Sequence, residues 1–110
     1  MGETGPTRLL RIHISEADRY RDKPLYEAIV EKCREARMAG ATVFRGLEGY
    51  GETAEMHRPH LMHRDQPILI WVVDSVENID RLIPLVEEMM NTGLMSVSAV
   101  TALRVQKTVT

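Results

Sequence analysis

The chain has little of what several functions require. Its single cysteine, Cys33, cannot form an internal disulfide, which excludes a small scaffold stapled by disulfides. Aromatic residues make up 5% of it and the formal net charge is −2. There is thus no basic field to hold a phosphate backbone and few rings on which bases could stack, so nucleic acid is not expected as a partner. No apolar run approaches the roughly 20 residues that a membrane-spanning helix needs. No basic start leads into an apolar stretch either, so the cytoplasm is the expected location and membrane insertion is not expected. Walker loops, GxSxG elbows and recognisable Cys and His signatures are all missing, and an enzyme is not expected.

What is present fits one α+β domain. The 110 residues are 44% hydrophobic and 27% charged, the balance of an ordinary globular chain of single-domain size. Residues 1–7, rich in Gly, Pro and Thr, read as a flexible tail, and residues 8–110 as the domain. Leu10, Ile12 and Ile14 alternate with Arg11 and His13, the period of a strand with one face in a core. A helix follows from Pro24, with Asp22 as a candidate cap and an apolar stripe of Leu25, Ile29, Val30, Cys33 and Ala36; Gly40 is the expected stop. Residues 41–47 read as a second strand, and the polar segment 52–66 after it is longer than compact domains generally use, which marks it as a functional loop. Ile68 to Val73 is a third strand. Ser75 caps a second helix carrying Ile79, Leu82, Ile83, Val86 and Met89, and residues 94–105 close the domain. The order βαββαβ with right-handed crossovers predicts a ferredoxin-like fold, a four-stranded antiparallel sheet with both helices on one face.

That plan leaves one sheet face bare, yet the third strand is apolar on both sides. Either a flap of the same chain covers Leu69, Trp71 and Val73, or a second copy does, and a homo-oligomer is the expected answer.

Two stretches, KPLYEAIVEKCREARMAGATVFRGLEGYG and DQPILIWVVDSVENIDRLIPLVEEMMNTGLMSVSAV, cover most of the chain and resemble the PII-like signalling proteins. Within them the chain looks like a branch of short proteins classed as a domain of unknown function. The resemblance implies a homotrimer with sheets facing inward and an adenine nucleotide bound in clefts between subunits. It also implies that the long T-loop-like segment 52–66 docks on a partner protein such as a membrane transporter or a metabolic enzyme. Gly49, Tyr50 and Gly51 match the Gly-aromatic-Gly that introduces this loop, and Thr92 and Gly93 match the opening of a shorter loop after the second helix. Arg104, after the last strand, is a candidate to meet an anion in a subunit cleft. Two departures matter. After Gly93 the chain reads LMSVSA, without the glycines and lysine that hold phosphates in PII proteins, and Glu48 replaces a lysine. Both argue against a triphosphate and for a ligand of lower charge, or none.

A different function is also open. His57, His60 and His63 recur at intervals of three, and imidazole ligates zinc and copper, so a trimeric metal binder is an alternative. Pro59 interrupts the segment and no cysteine completes a ligand set. A small ferredoxin-fold enzyme is a further alternative without a catalytic constellation to support it. Cys33, on the apolar helix stripe, reads as a buried structural thiol.

Overall fold

The computed structural model describes residues 2–3, 5–49 and 66–107. Four strands, β1 (Thr7–Ser15), β2 (Thr42–Arg45), β3 (Pro67–Ser75) and β4 (Leu94–Val100), form one antiparallel sheet in the order β2-β3-β1-β4. Two helices, α1 (Leu25–Glu35) and α2 (Val76–Glu87), link them as βαββαβ. This is the ferredoxin-like arrangement that the order of elements predicts.

The core lies between the sheet and the helices. In register across β1 and β3, Leu10 opposes Val72, Ile12 opposes Ile70 and Ile14 opposes Ile68. All six are at most 2% exposed. They pack with Leu25, Ala28, Ile29 and Cys33 of α1 and with Ile79, Leu82 and Val86 of α2. Because side chains alternate across a strand, the intervening residues Arg11, His13, Leu69, Trp71 and Val73 share the opposite, outer face. Phe44 joins them, its ring meeting that of Trp71 edge-on at 5.3 Å between centroids. Phe44, Trp71 and Val73 remain 44%, 39% and 38% exposed.

The helix ends differ in part from the expectation. Ser75 caps α2 as predicted, its hydroxyl accepting from the Asn78 N–H at 3.1 Å. Asp22 does not cap α1; Pro24 occupies that position without a side-chain hydrogen bond. Gly40 does not end α1 either. Arg37 instead takes the left-handed conformation that glycine usually fills, with a φ of 64°. Its N–H donates to the Arg34 carbonyl, while that of Met38 donates to the Cys33 carbonyl. That pair of bonds is a Schellman closure, completed before the glycine is reached.

The chain termini also depart from expectation. Thr7 already belongs to β1, its hydroxyl donating to the Val100 carbonyl at 2.6 Å, and Gly2–Glu3 pairs antiparallel with Leu103–Arg104. Residues 1–7 are therefore not wholly a loose tail. The last strand likewise stops at Val100 rather than running to Val105, and Leu103–Arg104 leaves the main sheet for that separate pairing.

Candidate functional site

The strand ends bring the candidate residues to two places. At the Ser15 end of β1, the Glu16 N–H donates to the Gln66 carbonyl and the Gly46 N–H to the Pro67 carbonyl, each at 2.8 Å. The second bond draws together the two ends of the segment between β2 and β3, and the first ties the later end to the residue that follows β1. Gly49 lies here: a Cβ on it would sit 3.0 Å from Pro67 Cγ, and one on Gly46 would sit 2.8 Å away. Close approach to Pro67 is thus a packing reason for both glycines. Beside them, the Arg45 guanidinium pairs with Glu16 at 2.5 Å, and the second carboxylate oxygen of Glu16 is buried without a hydrogen-bond partner among the described residues.

Gly93 reaches the same end of the sheet, since His13 opposes Leu94 in register. Its φ of +132° suits glycine, and an added Cβ would stand 2.9 Å from the His13 carbonyl oxygen. Thr92 next to it is exposed. So Gly49 and Thr92–Gly93 lie at one end of the sheet, although each glycine also has a structural reason to be glycine.

Arg104 does not join them. It lines a cleft of about 240 Å³ at the opposite, Thr7 end of β1, with Gly5, Pro6, Asp74, Glu77 and Ala102. The nine residues of β1 separate the two ends by roughly 26 Å. No small ligand spans that distance, so Gly49, Thr92 and Gly93 can share a ligand only with the Arg104 of another copy.

The cleft is organised by Asp74, which sequence reasoning missed. Its carboxylate accepts from the Ala39 N–H at 2.8 Å, the Ser75 N–H at 2.7 Å and the Asn78 side-chain amide at 2.8 Å. Arg81 adds bonds to the Ala36 carbonyl and the Asn78 side chain. Burial alone would raise the Asp74 carboxyl, but these hydrogen bonds and the Arg81 charge outweigh it and hold the group below its ordinary value. The result is an anchor joining the α1–β2 connection to the start of α2. An Asp before a capping Ser is a cue for such a role, but the partner at Ala39 lies 35 positions away.

Cys33 is 2% exposed, and burial pushes its thiol up to about 11, as a structural thiol on an apolar helix face requires. Tyr50, Gly51, the rest of segment 52–66 up to residue 65, and the proposed metal ligands His57, His60 and His63 lie outside the described residues. Among the described residues no group of three or more His, Cys, Asp or Glu side chains could hold a metal. No helix among them is long and apolar enough to cross a membrane.

A family model for DUF190, described as uncharacterized ACR, COG1993, matches residues 7–102. The chain belongs to that family. A UPF0166 protein of Aquifex aeolicus is 36% identical over 78 residues, spanning 69% of this chain and 74% of the relative. Among solved structures, a candidate PII-like signalling protein of Thermus thermophilus superposes with a TM-score of 0.67 at 19% identity, covering 94% of both chains. CPII of Thiomonas intermedia, a nitrogen regulatory PII-like protein bound to ADP, AMP and bicarbonate, superposes with a TM-score of 0.67 at 24% identity over 90% of both chains. The fold of this DUF190 chain is therefore PII-like, as its sequence resemblance implies.

Proposed function

We propose that this DUF190 chain is a cytoplasmic, non-enzymatic PII-like signalling protein. It assembles as a homotrimer, binds a small anionic ligand of the adenine nucleotide class between subunits, and regulates a partner protein through segment 52–66. The observation that carries the reading is the split of the candidate residues: Gly49, Thr92 and Gly93 at one end of the sheet, Arg104 at the other. A cleft between two copies is the arrangement that lets them act on one ligand. The outer face supports assembly, because Phe44, Trp71 and Val73 form an apolar patch that a neighbouring sheet would cover. CPII supplies the ligand class, since it shares the fold and is bound to ADP and AMP.

The charges refine that class. Glu48 precedes Gly49, and the paired Glu16 carboxylate stands at the same end of the sheet, while no lysine follows Gly93 before Lys107. Carboxylates repel a polyphosphate, so a nucleotide with one phosphate fits better than one with three. Calorimetry against AMP, ADP, ATP and cyclic nucleotides tests this directly. Saturable heat with AMP that exceeds any with ATP is expected; no heat with any of the four would refute the reading.

A further inference from the structure

The outer face of the sheet is apolar at Phe44, Leu69, Trp71 and Val73 of β2 and β3, while β1 and β4 make a more polar half, on which Arg11, His13, Ser96 and Ser98 lie among Leu9 and Leu94. On the polar half, Arg11 opposes Ser96 in register, with Ser98 two residues further on the same face. The guanidinium donates to the Ser98 hydroxyl at 3.1 Å and to the Ser96 hydroxyl at 3.4 Å. Arg11 has no carboxylate partner among the described residues. Arg8, on the helix-facing side of the same strand, contrasts with it by pairing with Asp80 at 2.7 Å.

The rest of the outer face sharpens the contrast. Leu9, His13, Leu69, Trp71 and Leu94 are the neighbours of Arg11 and the two serines there, and no outward-facing residue of the four strands is acidic. Nothing on the described face can neutralise Arg11. If sheets pack against one another, as the proposed assembly requires, symmetry also carries every copy of Arg11 into the covered interior. An unpaired guanidinium there would be desolvated without compensation, which is strongly unfavourable. Copies of this face cannot supply the missing negative charge to each other through the described residues, none of which is acidic on that face.

We propose that Arg11, Ser96 and Ser98 form a binding site for a small oxyanion of the phosphate or sulfate class, present in the single chain and bound more tightly when the outer face is covered. The chemistry is complementary. A guanidinium presents several N–H donors in a plane that suits oxyanions, and a serine hydroxyl that accepts from Arg11 keeps its own O–H to donate. The site is distinct from the nucleotide cleft, because it lies in the middle of the sheet rather than at its ends. This inference rests on the proposed assembly for the burial of Arg11, but the donor set exists in the single chain.

The test compares the wild-type chain with Arg11→Met, which keeps the length of the side chain and removes the charge. Both are studied in chloride and in inorganic phosphate at matched ionic strength, by thermal unfolding and sedimentation equilibrium. Phosphate strengthens apolar burial in any protein, so the difference between the two chains isolates the specific effect. Phosphate should raise the Tm of wild type more than that of the variant, and should tighten wild-type assembly by about tenfold or more. The variant should assemble in chloride about as well as wild type does in phosphate. Equal gains in both chains would overturn the proposal, as would assembly indifferent to phosphate and weakened by Arg11→Met, which would assign Arg11 to a carboxylate of the neighbouring copy. If Arg11→Met does not fold, the double variant Ser96→Ala, Ser98→Ala should lose most of the phosphate-specific gain, and an undiminished gain would count against the site. A wild-type chain that stays monomeric in every buffer contradicts the assembly instead, and its own phosphate-specific Tm gain, present or absent, still decides the anion site.

Discussion

Replacing Trp71 with Glu should dissociate the assembly while leaving the subunit folded. The indole sits on the outer face, 39% exposed, and touches Phe44 edge-on. A Trp buries up to roughly 250 Å², so about 100 Å² of this residue is left for a neighbour to cover. At about 25 cal/mol per Å² that contact contributes about 2.5 kcal/mol per subunit, well over tenfold in an association constant. The carboxylate adds the larger penalty of drawing a charge into an apolar contact. The core is spared, because the inward residues Ile70 and Val72 are unchanged and fully buried. Sedimentation velocity over a dilution series should show the variant as a monomer at concentrations where wild type is associated, with the same far-UV circular dichroism. Trp71 is the only tryptophan, so the emission of the wild-type chain should shift to the red as it dissociates on dilution. A folded Trp71→Glu chain with wild-type association would refute the assignment of this face to the subunit interface.

Two further substitutions separate structural roles from ligand roles. Asp74→Ala removes the acceptor of three hydrogen bonds at a partly solvated site and should cost about 2–3 kcal/mol in denaturant unfolding. Because the Asp74 carboxyl is held below its ordinary value, its contribution is complete above the unfolded Asp pKa of about 3.9 and is lost as the pH falls through the lower folded value. The stability difference between wild type and Asp74→Ala should therefore be constant near neutrality and shrink in acid; a difference that grows in acid would contradict the hydrogen-bond account. Gly93→Ala meets the His13 carbonyl at 2.9 Å in a backbone conformation unfavourable to alanine, and should lower stability by about 1–3 kcal/mol even without ligand. A Gly93→Ala chain of wild-type stability that binds AMP poorly would make Gly93 a ligand residue alone.

Local patterns predicted the layers well, because they follow from side-chain alternation and helical spacing. Leu10, Ile12 and Ile14 announce an inward face, and the apolar stretch around Trp71 announces a strand with something to cover on each side. The Ser75 cap was legible for the same reason: its partner, Asn78, is three residues away. The misplaced features depend on competition or on distance. Gly40 is the conventional stop for α1, but Arg37 accepts the left-handed conformation first, and its closure is completed through the Met38 N–H to Cys33. Residues 94–105 keep a strand-like pattern throughout, yet Leu103–Arg104 pairs with Gly2–Glu3 instead of extending β4. That choice depends on the opposite terminus. It also places Arg104 at the far end of the sheet from Gly49 and Gly93, which no local pattern could reveal. The anchoring role of Asp74 and the Glu16–Arg45 pair were not legible because Ala39 lies 35 positions from Asp74 and Arg45 lies 29 from Glu16, on other elements.

The central claim is a symmetric assembly whose clefts between subunits hold an adenine nucleotide. Native mass spectrometry of the wild-type chain, titrated with AMP, measures subunit count and ligand count together. The account predicts a trimer that gains AMP in steps up to one per subunit. A monomer, or a trimer that acquires no AMP at saturating concentration, would contradict it.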